Sequence, residues 1–196
     1  MKSRAWRLAA AALTGTVLLL GGCSSSPPSN PGDLCSIFQE KDDWYVAAHK
    51  VHEKYGVPIN VAMSIMAQES GFKADAKPPM RWFLFIPYGR ASDAYGYAQA
   101  LGSTWDQYVK EEGSFFSDRD DFADALDFIG WYMSKTSKQN NVPLGDAYRQ
   151  YLNYHEGWGG YARGSYKGKD WLIKVARKVE QRSETYRTQL LHCNLY

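Results

Sequence analysis

The sequence predicts an all-α domain of about six helices with an inserted aromatic loop and little or no β structure. Three observations carry that expectation. Apolar residues recur at helical spacing between recognisable caps, no stretch of any length alternates as a half-buried strand does, and apolar content of 44% with 15% aromatic is enough for a packed core. The helices follow in order. Asp42 or Asp43 caps a helix to Tyr55, which Gly56 ends. Pro58 opens a second through Val61, Ala62, Ile65 and Met66, stopped at Gly71. After a loop over residues 77–95 with prolines at 78, 79 and 87, Ser103 begins a short helix to Glu112. Asp121 begins another through Trp131 to about Ser137, and Pro143 starts a segment reaching Tyr154. The longest runs from about Asp170 to Leu191, with Trp171, Val175, Val179 and Tyr186 near one face. Most loop aromatics (Trp82, Phe83, Phe85, Tyr88) are expected to pack the insertion down, although they would also suit sugar subsites.

The front of the 196-residue chain reads differently. Residues 1–22 have the pattern of a secretory signal: Lys2, Arg4 and Arg7 precede an uncharged apolar run from Leu8 to Leu20. Leu20-Gly21-Gly22-Cys23 resembles a bacterial lipobox, which implies lipidation of Cys23 and a membrane-anchored cell-envelope protein. Ser24 after the cysteine resembles sorting to an outer membrane, facing the periplasm. Residues 23–33 would be the lipid anchor and a Ser/Pro-rich tether, and 34–196 the folded domain. Loss of three basic residues with the signal turns a net charge of +2 into −1, so nucleic acid is not an expected partner.

Cys35 and Cys193 remain at the two ends of the domain, and in an oxidising compartment an even pair is most simply a disulfide. No metal or other cofactor is expected. His49 and His52 are three apart on a helix but lack a third ligand at metal spacing, which favours a solvated face.

One residue does not fit its helix. Ala62, Ile65, Met66 and Glu69 lie at spacings of three, four and seven, which puts Glu69 on the apolar stripe at the helix C-terminus. Burial and the negative end of the helix dipole both raise a carboxyl pKa there. A carboxylic acid kept protonated near neutrality is what glycosidic bond cleavage requires. The bland alternative is a glutamate reaching water from the helix end or paired with an arginine.

Glu69-Ser70-Gly71-Phe72 is followed by Gly96-Tyr97-Ala98-Gln99 and then by Asn153-Tyr154-His155-Glu156-Gly157. In order and spacing this resembles the soluble lytic transglycosylase family, relatives of goose-type lysozyme, whose blocks read E-S, G-L-M-Q and A-Y-N-A-G. The resemblance covers roughly residues 43–165 and implies a lysozyme-like fold acting on peptidoglycan glycan strands. It also implies Glu69 as catalytic acid/base, with Ser70, Tyr97, Gln99, Tyr154 and His155 as substrate-binding residues and Tyr154 in contact with the catalytic carboxyl. Tyr97 and Ala98 replace both apolar positions of the second block, and His155 stands where the family has Asn. Two other readings remain: a lysozyme-like hydrolase in which Asp93 or Glu156 activates water, and a non-catalytic glycan-binding lipoprotein.

Overall fold

The computed structural model describes residues 26–195; the signal segment, Cys23 and the first tether residues lie outside the described part. Among the described residues, seven α-helices and one small hairpin follow one another: α1 Leu34–Glu40, α2 Asp42–Tyr55, α3 Ile59–Glu69, β1 Met80–Phe83, β2 Ile86–Arg90, α4 Gly102–Glu111, α5 Phe122–Asn140, α6 Ala147–Ala162 and α7 Asp170–Leu191. A single 3₁₀ turn, Ser165–Gly168, joins the last two helices.

The fold is all-α, as expected. α2 packs on α5, and α7 lies along both α3 and α6, so α3 is enclosed by neighbours. Every residue of α3 from Val61 to Met66 is buried, which explains why its apolar stripe is so wide. At the core centre the rings of Trp44 and Phe122 stack with centroids 3.8 Å apart. Gly130 lets α5 approach α2 closely, because a Cβ there would stand 2.6 Å from Val51 and 2.7 Å from Tyr55. Gly56 ends α2 in the left-handed conformation, with its N–H on the His52 carbonyl.

Helix α1 was not anticipated. Asp33 caps it by accepting from the amides of Cys35 and Ser36, and Leu34, Ile37 and Phe38 are buried. Cys35 and Cys193 are disulfide-bonded with Cα atoms 5.6 Å apart, which joins α1 to the end of α7. The chain ahead of α1 is docked as well. Pro28 is buried, Ser29 donates to Glu40 from its amide (2.8 Å) and hydroxyl (2.6 Å), and the Tyr186 hydroxyl donates to the Pro31 carbonyl. The stretch from Pro28 to Asp33, expected to be free tether, therefore lies on the domain.

Two further expectations are corrected. The loop over residues 77–95 contains an antiparallel hairpin, and its aromatics do not pack: every residue of both strands is exposed. Trp171, assigned to the buried face of α7, is 55% exposed, whereas Leu172, Ala176, Val179, Ser183 and Tyr186 form that face. Val179 and Tyr186 lie on it as expected, Leu172 and Ala176 take the places given to Trp171 and Val175, and Trp171 packs on the His155 ring instead (5.1 Å).

Candidate active site

Glu69 is the last residue of α3, half-buried, and follows a run from Val61 to Met66 that is buried throughout. Burial drives its carboxyl up from 4.5 to about 7, and a hydrogen bond from the Tyr151 hydroxyl works in the opposite direction. At neutral pH the group is therefore poised between acid and carboxylate. Tyr151 is 4% exposed on α6, and its phenol is pushed far up by burial first and by the Glu69 charge second. It remains a neutral donor throughout the working pH range.

Ser70 does not present its hydroxyl to a groove. Its Oγ donates to the Met66 carbonyl (3.3 Å) and accepts from the Phe72 amide (3.1 Å). Those bonds build a turn in which Gly71 and Phe72 both have left-handed φ, at 61° and 62°. Phe72 tolerates that conformation because its ring is fully buried, tilted against Trp44 at 5.7 Å. Ser70 thus fixes the exit of the chain from Glu69.

The second block is a knot of backbone bonds. Gly96 has φ 79°, and a Cβ there would stand 1.9 Å from the Arg119 carbonyl oxygen, so only glycine fits. The Gln99 amide donates to the carbonyls of Ala76 (2.8 Å) and Gly96 (2.9 Å), closing the loop on itself. Tyr97 was expected to bind substrate, and the structure removes it from any groove. It is 3% exposed, with its ring edge-on to Trp44 and Phe122 at 5.7 Å each. Tyr97 is a core residue.

The third block lies on α6, which kinks at Gly157 (φ 73°, ψ 159°). The family resemblance implies a contact between Tyr154 and the Glu69 carboxyl. Its hydroxyl instead donates to the Ala98 carbonyl at 2.6 Å, tying α6 to the Gly96–Gln99 knot. Tyr154 still lies close enough for the Glu69 charge, after burial, to raise its phenol. The contact with Glu69 passes to Tyr151, one turn earlier. That residue was missed because an aromatic at helical spacing reads as core, and nothing in the sequence separates the two tyrosines. His155 is exposed; its Nδ1 lies 3.1 Å from Glu156.

Gln99, Leu101, Thr104, Tyr132, Tyr154 and His155 line a cavity of about 200 Å³. Three of the expected binding residues are thus brought together, while Glu69 meets α6 at Tyr151 rather than lining that cavity. A larger cavity of about 320 Å³ lies between α2 and α5. Its central carboxylate, Asp127, already accepts from Tyr55 (3.1 Å), Tyr108 (2.9 Å) and Lys54 (2.9 Å).

Neither carboxylate considered as a water-activating base is unengaged. Asp93 Oδ2 accepts from the Gly102 amide (3.0 Å), so it caps the start of α4. Burial would raise Glu156, but hydrogen bonds from Lys169, Ser165 and His155 outweigh it and hold the carboxyl at about 2. Lys169 approaches its two oxygens at 2.7 and 2.9 Å.

The described residues thus form a mostly helical, lysozyme-like domain with a half-buried glutamate, raised by burial, at the end of α3. A family model described as the transglycosylase SLT domain matches residues 11–193, and the chain belongs to that family. The family is one of lytic transglycosylases acting on peptidoglycan glycan. No curated protein and no solved structure matches the chain.

Proposed function

We propose that this protein cleaves the β-1,4 bond between N-acetylmuramic acid and N-acetylglucosamine without water, leaving a 1,6-anhydro end. The observation that carries the reading is the Glu69 carboxyl, held at about 7 by burial at the end of α3. Such a group can serve both half-reactions at neutral pH. As an acid, Glu69 protonates the bridging oxygen, and the N-acetylglucosamine side departs with that proton. The cationic charge at C1 of the muramic sugar is met by its own N-acetyl group. Glu69, now a carboxylate, takes the C6 hydroxyl proton as that oxygen closes on C1, which returns the enzyme to its starting state. No second protein carboxylate is required, an exception to the two-carboxylate pattern. The occupied state of Asp93 and Glu156 favours this route over hydrolysis. The Tyr151 hydroxyl orients the Glu69 carboxyl, and Gln99 and Tyr154 hold the wall of the neighbouring cavity in place.

The reading extends to location: a lipid-anchored envelope protein attached through Cys23, facing the periplasm from an outer membrane. The test of the chemistry is a pair of variants assayed on purified glycan strands. Glu69→Gln should lower cleavage by several orders of magnitude with the fold intact, because one residue serves both steps. Asp93→Asn should cost little, since an amide oxygen still accepts from Gly102. A severe loss in Asp93→Asn as well as in Glu69→Gln would move the assignment to a hydrolase.

A further inference from the structure

Every residue of both hairpin strands is exposed, and the composition is graded along the hairpin's length. Phe83 pairs with Ile86, which leaves Leu84 and Phe85 as a two-residue turn. Leu84 adopts left-handed φ of 55° there, where hairpins ordinarily place Asn or Gly. The four residues at the tip are 70%, 78%, 92% and 67% exposed in chain order. From Phe83 to Pro87 no side chain carries a hydrogen-bonding group. One rung behind the tip Trp82 pairs with Pro87, and Tyr88 follows at a register shift, both aromatics exposed. Behind them come Arg81 and Arg90, and at the root Lys73 and Lys77, four cations against Asp75 and Asp93 over residues 73–93. Hydrocarbon first, indole and phenol next, and cations last is the order of a bilayer interface read outward from its core. A sugar platform would need flat rings beside polar donors, and the tip has aliphatic Leu84 and Ile86 with no donor.

The chain's path adds an independent argument. Pro31 and Gly32 share a cavity of about 360 Å³ with Gly71 and Phe72, at the end of α3 from which the hairpin segment departs. Pro28 is buried, so an acylated Cys23 five residues earlier stays within about 18 Å of the domain. Both the anchor and the hairpin leave from the same end of α3.

We propose that the Phe83–Ile86 tip inserts into the lipid leaflet to which Cys23 attaches the chain, giving the domain a second point of contact and a fixed orientation over the membrane. A single flexible tether would leave the domain free to tumble. A second apolar contact reinforced by cations on anionic headgroups restrains it. The proposal rests on the attachment through Cys23, and its test reports on the two separately.

The acylated full-length mature protein is reconstituted into phosphatidylglycerol-containing vesicles with plain or acyl-brominated chains. Bromine should quench a share of the tryptophan emission that the Trp82→Tyr variant lacks. Leu84→Ser combined with Phe85→Ser should reduce that share about tenfold or more, while the protein still floats with the vesicles and cleaves isolated strands at the wild-type rate. A double variant that leaves the vesicles would refute the Cys23 attachment and make the hairpin the membrane contact by itself. Equal quenching in wild type and Trp82→Tyr overturns the proposal. So does Trp82 emission that responds to glycan strands but not to lipid, with strand cleavage lost in the double variant.

Discussion

Replacing Glu69 by Gln should make the protein more stable at neutral pH, and by an amount that depends on pH. In the folded state the carboxyl titrates at about 7, against 4.5 when unfolded. The folded form therefore keeps a proton that the unfolded form gives up, so stability falls as pH rises from about 4.5 to about 7 and then levels. A difference of that size corresponds to about 3 kcal/mol at 1.36 kcal/mol per unit. Gln has nearly the same volume, never ionises, and its amide oxygen still accepts from Tyr151, so the variant escapes this penalty. Urea unfolding of wild type and Glu69→Gln should show equal stability near pH 4 and a gap of about 3 kcal/mol at pH 8. For a domain of this size that gap corresponds to roughly 6–12 °C in Tm. A gap that is the same at both pH values, or a less stable variant at pH 8, would refute the reasoning that burial of a charge dominates this site.

Other consequences follow from named contacts. Tyr151→Phe removes the one bond that favours the Glu69 carboxylate, so the pH–rate profile should move up by about one unit, with substrate KM little changed. An unshifted profile would leave Tyr151 a packing residue. Reducing the Cys35–Cys193 bond, which spans 158 residues, should cost up to about 5 kcal/mol by loop entropy, read as a lower urea midpoint. A midpoint unchanged by reductant would contradict the loop-entropy argument. Cys23→Ala should abolish acylation, detected as loss of the added lipid mass; an unchanged mass would end the lipobox reading.

Much of the fold was legible because its helices carry ordinary punctuation. Gly56, Pro58, Gly71 and Asp121 mark boundaries that the structure reproduces within a residue or two. α5 runs on to Asn140, where Asn141 adopts left-handed φ. α6 begins later than Pro143 and continues past Tyr154 through the Gly157 kink. α1 was hidden because seven residues next to a Ser/Pro-rich stretch are too few to show a period. The hairpin was hidden because its strands are short, do not alternate, and meet at Leu84-Phe85 without turn residues. Within the site, Glu69 announced itself by an acidic side chain on an apolar stripe. Tyr97, Tyr151 and Tyr154 could not be sorted from sequence, since which phenol reaches a carboxylate depends on how α6 rotates against α3.

The central claim concerns the bond made as much as the bond broken. Mass spectrometry of fragments released from purified glycan strands, in water enriched in ¹⁸O, reads this directly. The account predicts muramic ends one water lighter than reducing ends, with no ¹⁸O, and their disappearance in Glu69→Gln. Reducing ends that carry ¹⁸O would show that water is the acceptor, and the single-glutamate mechanism would be wrong.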